Sequence, residues 1–333
     1  MRRPSTLLAA ILSALCFVLA GCRSTIEWAG IELYYAPAPL AADHALRDLP
    51  YWQGPDRHPV KHDLDLYLPE SGGGWPVFVF VHGGGWTEGD KEMLVADADI
   101  YGNIGRFFAG QGVATAVINY RLQPEVGWRE QVEDVARAAA WAYRHAERYG
   151  ADRHRLFLGG HSAGGQLAAH VALDPLPLAE HGLTPDMLCG VVSVSGAGFD
   201  LADLETYQLG GRFQYYERRF RESGADASWQ VEGSPIRLAR PGAPPFLFLN
   251  AAKEPTALHR QSRLMSDALE RQGVESRIVL VPQQSHLRMV LAMSREDRGA
   301  TAPVLDFLTG TRCGGGRFAG GGTATAATAS SAH

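Results

Sequence analysis

A single doubly wound α/β domain on a mostly parallel sheet is the fold that this 333-residue sequence predicts, and three observations predict it. Residues 76–81, 113–118, 156–158, 191–194, 246–249 and 278–281 are short apolar runs. The clearest, Pro76-Val77-Phe78-Val79-Phe80-Val81, is apolar on both faces, as in a parallel strand covered by helices on two sides. Helical patterns separate these runs, so strand and helix alternate over about 240 residues. Finally, Gly160-His161-Ser162-Ala163-Gly164-Gly165 stands where one apolar run meets a helical one. Glycines there let strand, helix and serine approach too closely for Cβ atoms. The length would allow two domains, but one large sheet absorbs it.

The chain opens with Arg2 and Arg3, then a nearly unbroken apolar stretch over residues 7–20 that ends Leu19-Ala20-Gly21-Cys22. As a helix that stretch rises only about 21 Å against roughly 30 Å of hydrocarbon. Residues 1–21 are therefore expected to be an export signal rather than a membrane span. Residues 22–60 carry Pro37, Pro39, Pro50 and Pro55 and are expected to form a leader to a domain over residues 61–312. Leu64, Leu66 and Leu68 alternate with polar residues, which predicts a half-exposed strand near a sheet edge.

Directly after the run 76–81 comes His82-Gly83-Gly84-Gly85-Trp86. Three glycines let backbone N–H groups turn toward a common point. The amides of Gly84 and Gly85, with that of Ala163, would cradle an oxyanion. His82 is expected to anchor this loop by hydrogen bonds. Val132, Val135, Ala136, Ala139, Trp141, Ala142 and Ala146 mark a helix that closes at Gly150.

Ser162 on such a turn needs a base and an acid. His170 is eight residues along the following helix, about 12 Å away, and cannot serve. His181 and His259 lie elsewhere in the body, and His333 is in the tail. His286 lies just beyond the run 278–281, at the end of the sheet where catalytic groups of open α/β folds gather. Glu254 follows the run 246–249 and is the natural acid. Asp200 competes with it, although Asp200 also reads as an N-cap, and Asp267 is a further candidate.

Roughly fifty residues separate Ser195 from Phe246, and they include Tyr207, Phe213, Tyr215, Tyr216 and Phe220. A connection of that length and content, about residues 198–240, predicts a small lid or pocket wall. Of four cysteines, Cys16 lies in the signal segment, Cys189 reads as a buried free thiol and Cys313 opens a glycine-rich tail. No disulfide framework is expected. Residues 313–333 are Gly, Ala, Thr and Ser with few apolar groups, and disorder is expected there. His58 and His62 are interrupted by Pro59 and are not expected to bind metal, while Arg121 and Asp134 are expected to pair.

Composition excludes several classes. With 46% hydrophobic and 20% charged residues and a formal charge of −5, the chain is an ordinary globular protein without a basic stripe for nucleic acid. No phosphate-binding glycine pattern and no metal triad appear, so neither cofactor nor metal is expected.

Together His82-Gly83-Gly84-Gly85-Trp86, Asn119-Tyr120-Arg121-Leu122 and Gly160-His161-Ser162-Ala163-Gly164-Gly165 resemble α/β-hydrolase esterases. The likeness is to HGGG-type carboxylesterases, including hormone-sensitive-lipase-like, feruloyl-esterase-like and kynurenine-formamidase-like branches, and runs from about Asp63 to Leu308. It implies Ser162 as nucleophile, His286 as base, and Gly84, Gly85 and Ala163 as oxyanion donors, acting on a small carboxylic ester. Trp86, Tyr120 and residues 207–220 would shape a mainly apolar pocket. Relatives usually carry Asp where this chain has Glu254. The same machinery would serve an aryl formamide, and a non-catalytic scaffold is the alternative outside enzymes. The N-terminal segment resembles a bacterial lipobox, which implies cleavage before Cys22, lipid on its sulfur and a membrane as partner.

Overall fold

The computed structural model describes residues 38–40, 42–95, 98–210, 212–221, 228–295, 299–313 and 317–318. The signal segment, Cys22 and the first part of the expected leader, residues 22–37, lie outside these residues, as does the tail apart from Cys313, Arg317 and Phe318.

Eight strands form one sheet. They are β1 (Ala45–Pro50), β2 (Asp63–Tyr67), β3 (Trp75–Val81), β4 (Ala114–Ile118), β5 (Ala151–His161), β6 (Leu188–Val194), β7 (Phe246–Ala251) and β8 (Ser276–Val281). Their spatial order is β1-β2-β4-β3-β5-β6-β7-β8. Strand β2 runs antiparallel to both its neighbours, β1 and β4, and every pairing from β4 onward is parallel. Parallel neighbours need crossovers, and helices supply them.

The alternation within β3 shows why the sheet must be covered twice. Val77, Val79 and Val81 face a core shared with α2 (Trp128–His145), α3 (Ala163–Leu173) and α5 (Thr256–Arg271). Phe78 and Phe80 face another shared with α1 (Ile100–Gly110), α6 (His286–Ala292) and α7 (Thr301–Gly310). Both phenyl rings are fully buried, and each contributes on the order of 2–3 kcal/mol through burial. Among the described residues between β6 and β7 lie three short α-helices, Leu204–Gln208, α4 (Phe213–Phe220) and Trp229–Glu232, and a 3-10 turn, Pro235–Leu238.

Helix α2 passes into a turn of 3-10 helix, Ala146–Tyr149, and Gly150 caps it at φ 79°, as its position after the periodic run predicts. Four expectations are corrected. Residues 64–68 do not form a half-exposed edge: all of Asp63–Tyr67 is buried, because Arg47 and Lys91 reach Asp65 Oδ2 and Oδ1 at 2.5 and 2.9 Å. The true edge is β1, which falls inside the stretch expected to be a leader, so the domain begins well before residue 61. At the other edge, β8 is not covered on both faces, and Ile278 and Leu280 are exposed.

The fourth correction concerns cysteine. Cys189 is no free thiol: it forms a disulfide with Cys313. Tertiary contact joins residues 124 positions apart, which spacing along the chain cannot reveal. The ordered chain thus passes the expected boundary at 312, and Thr311–Arg312 pairs with Arg317–Phe318. Cys313→Ser is expected to lower the free energy of unfolding by about 2–4 kcal/mol in urea titrations, and dithiothreitol should bring the wild type down to match. An unchanged midpoint in both would remove the cross-link from the fold's stability.

Candidate active site

Ser162 sits between β5 and α3 with φ 54° and ψ −116°, a sparsely populated conformation for a residue with a side chain. Such a backbone costs on the order of 1–3 kcal/mol and persists only where surroundings over-determine it. Here they do. The Ser162 amide donates to the Val194 carbonyl at 2.9 Å, and its own carbonyl accepts from Gly165 at 3.1 Å. A Cβ on Gly164 would lie 2.2 Å from the Val81 carbonyl oxygen, so no larger residue lets α3 start this close to β3. Ser162 is half-buried, and Ala163 begins α3, where its N–H has no acceptor within the helix.

The glycine loop is pinned from its carbonyl side. His82 Nδ1 donates to the Gly83 carbonyl at 2.6 Å, and the Glu88 and Thr87 amides donate to the Gly84 carbonyl at 3.0 and 3.3 Å. In a trans peptide the N–H points opposite the C=O, so these bonds turn the amides of Gly84 and Gly85 the other way. Gly84 has φ 120°, and a Cβ there would lie 1.9 Å from the Glu88 carbonyl oxygen. From the insertion, Arg219 Nε donates to the Gly85 carbonyl at 2.6 Å, and its guanidinium stacks on Tyr215 with 3.5 Å to the ring centroid.

His286 opens α6, and its Nδ1 lies 3.3 Å from Glu254 Oε2. The other Glu254 oxygen accepts from Asn250 Nδ2 at 2.7 Å, and the carboxylate is fully buried while the imidazole is about one-third exposed. Nδ1 faces the carboxylate, which leaves Nε2 on the far side of the ring. The His286 ring stands 4.8 Å from that of His161, the residue before Ser162. Serine elbow, imidazole and carboxylate are thus brought together from β5, α6 and the turn after β7.

Among the remaining candidates His259 comes near the pair, its Nε2 3.7 Å from Glu254 Oε1, and the others lie elsewhere. Asp200 caps its own turn through the Ala202 amide at 3.0 Å and faces Arg237 at 3.6 Å, and Asp267 is exposed on α5. His170 packs its ring 5.1 Å from Trp128, while His259 Nε2 donates to the Ala251 carbonyl at 2.8 Å. Asp134 accepts from both Arg121 and His62, at 2.7 and 2.8 Å, so His62 is a structural partner. Burial raises that carboxyl's pKa, but the His62 and Arg121 bonds outweigh it and hold it below the usual range. Among the described residues, no cluster of three or more His, Cys, Asp and Glu could hold a metal ion.

Trp86 and Tyr120, expected to line a pocket, are corrected: both are fully buried. Tyr120 stacks under His82 at 4.4 Å, and Trp86 is wedged against Phe220 at 5.0 Å with its Nε1 on Gln166 Oε1 at 3.2 Å. They hold the loop against the insertion. Asn250, Tyr101, Arg219 and the side-chain role of His161 were missed, because only contact in space reveals them.

An eight-stranded sheet in this order, with a strained serine at the end of β5 and a His–Glu pair supplied from beyond β7 and β8, defines the α/β-hydrolase fold. Comparison with known proteins agrees. The family model described as BD-FAE matches residues 64–179. Esterase LipC of Mycobacterium tuberculosis is 30% identical over 200 residues, covering 58% of this chain and 48% of that protein. Esterase LipQ of the same organism is 28% identical over 288 residues, covering 79% of this chain and 66% of LipQ. The chain spans about half the length of LipC and two thirds of LipQ. Esterase B of Lactobacillus rhamnosis superposes with a TM-score of 0.66 at 22% identity, over 90% of this chain and 96% of its own, and shares the fold.

Burial makes the histidines behind the site acid-sensitive. His82 and His170 are each pushed down to about 4 by desolvation, and His161 lies well below its ordinary value. The unfolded chain takes up protons that the folded one refuses, so this stability is complete above about pH 6.5 and is lost as pH falls toward 4. Urea titrations at pH 7, 6 and 5 should show progressive loss, and His170→Gln should flatten the slope by about 1.4 kcal/mol per pH unit. A wild-type profile level from pH 7 to 5 contradicts this.

Proposed function

We propose that the protein is a serine carboxylesterase working through an acyl-enzyme. The observation that carries the reading is the convergence of a strained, half-buried Ser162 with a glycine loop whose carbonyls are all tied back. His286, oriented by Glu254, takes the Ser162 proton as the Oγ attacks the ester carbonyl. Oxygen gathers charge and is received by the amides of Gly84, Gly85 and Ala163; removing one such donor typically costs about 3–4 kcal/mol of transition-state stabilisation. The imidazolium returns the proton to the departing alcohol, and water, deprotonated by the same base, releases the acid. Glu254 stays ionised beside the imidazolium, and Asn250 keeps its second oxygen from rotating away. The esterase names of LipC and LipQ support the same activity.

Exposed Phe213 and half-buried Tyr207 and Tyr215 make the insertion a wall for an apolar acyl or alcohol group. Export and lipid attachment at Cys22 complete the proposal. The lipobox-like run supports it, and so does the Cys189–Cys313 disulfide, because such bonds persist in oxidising compartments.

Purified protein is expected to hydrolyse p-nitrophenyl acetate faster than an aryl formamide, with Ser162→Ala inactive and unlabelled by a fluorophosphonate. Glu254→Gln should cut kcat by about 10³–10⁴-fold with the fold intact. Turnover that survives Ser162→Ala sinks the mechanism. In cells, Cys22→Ser should move the protein from the membrane fraction to the soluble one and abolish palmitate labelling; continued labelling refutes the anchor.

A further inference from the structure

Two histidines meet at the elbow, and only one of them belongs to the mechanism above. His161 is buried, and both ring nitrogens are engaged. Nε2 lies 3.1 Å from the main-chain carbonyl of His286, and Nδ1 lies 3.2 Å from the Tyr101 hydroxyl. That hydroxyl also accepts from the Gly83 amide at 2.9 Å.

With the His161 ring neutral, only one proton arrangement satisfies all three contacts. A carbonyl can only accept, so His161 Nε2 carries the hydrogen and Nδ1 is bare. The Gly83 N–H donates to the Tyr101 oxygen, and the Tyr101 O–H donates to Nδ1. The chain therefore runs in one direction, from the glycine loop through Tyr101 and His161 to the backbone of His286. Gly83, Tyr101 and His161 are buried, where an unpaired polar group costs about 1–3 kcal/mol, so losing one of these bonds strands its neighbours.

We propose that Tyr101 and His161 are positioning residues which tie the start of the oxyanion cradle to the backbone of the catalytic base. Neither touches the reacting atoms. Their effect is to keep the two halves of the machinery, contributed by β3 and α6, at one fixed separation while charge moves between them. Burial and the neighbouring His286 keep His161 well below its ordinary pKa. A neutral ring 4.8 Å away does not repel the imidazolium that His286 becomes. The proposal rests on the esterase reading.

Two measurements test it. In the wild type, 15N chemical shifts of the His161 ring should report a protonated Nε2 and an unprotonated Nδ1; the reverse tautomer overturns the relay without any variant. In p-nitrophenyl acetate turnover, Tyr101→Phe and His161→Leu should lower kcat by about 10- to 100-fold with KM within about threefold. His161→Gln, whose amide can both accept from Tyr101 and donate to the carbonyl, should recover most of that loss. Tyr67→Phe is the control, since its buried hydroxyl in β2 has no hydrogen-bond partner among the described residues and removing it should leave kcat unchanged. If the wild type is active and Tyr101→Phe matches it, or if His161→Gln is as impaired as His161→Leu, the relay is wrong and the esterase reading stands. If the wild type neither turns over ester nor is labelled by a fluorophosphonate, the esterase reading itself has failed and takes the relay with it.

Discussion

Close approach of three backbones is the constraint on which the rest depends. The end of β3, the end of β5 and the start of α3 meet at van der Waals limits, with Gly164 against the Val81 carbonyl and Gly160 against Gly164 itself. Ser162 is left no ordinary conformation at that junction, and its strained backbone raises the side chain clear of both strand and helix. The same contact brings the glycine loop, which leaves β3, alongside the elbow, which leaves β5. Two distant pieces of chain become neighbours because neighbouring parallel strands end together. Packing of Phe78, Phe80 and their helices meets the cost of the strain, in a core where displacement of any strand would open voids.

Around that junction the protein fixes orientation with hydrogen bonds to carbonyls rather than with side chains pointing at substrate. His82, the Glu88 amide and Arg219 each take a carbonyl of the loop, and their combined effect is to free the opposite amides. Arg219 comes from the insertion, so the insertion braces the glycine loop as well as bordering it. The buried histidines serve the same end as neutral donors and acceptors. Desolvation keeps them uncharged, which suits the proposed mechanism, where a single positive charge, on His286, is wanted at one moment only.

Several readings from sequence failed for a shared reason. Polar Asp65 made β2 look half-exposed, yet Arg47 and Lys91 arrive from other segments and let the carboxylate be buried. Ile278 and Leu280 looked like interior strand residues, yet β8 has no neighbour beyond it. Cys189 looked like a small hydrophobe until Cys313 was folded back onto it. Trp86 and Tyr120 looked like pocket walls and proved to be the packing that supports the loop. In each case a residue's environment depended on a partner far away in the chain.

What the sequence by itself determined was local: runs apolar on both faces demand strands covered twice, and glycines at 83–85 and 160–165 demand tight turns at their ends. Those are properties of a few adjacent residues, and their physics is complete within a turn or a strand. Only the tertiary structure decided which carboxylate faces His286, that Asn250 holds it, and that Tyr101 and His161 bridge loop and base. Hydrogen-bond partners are chosen by distance in space, and that distance is set by strand order and helix packing, which no short stretch of chain encodes.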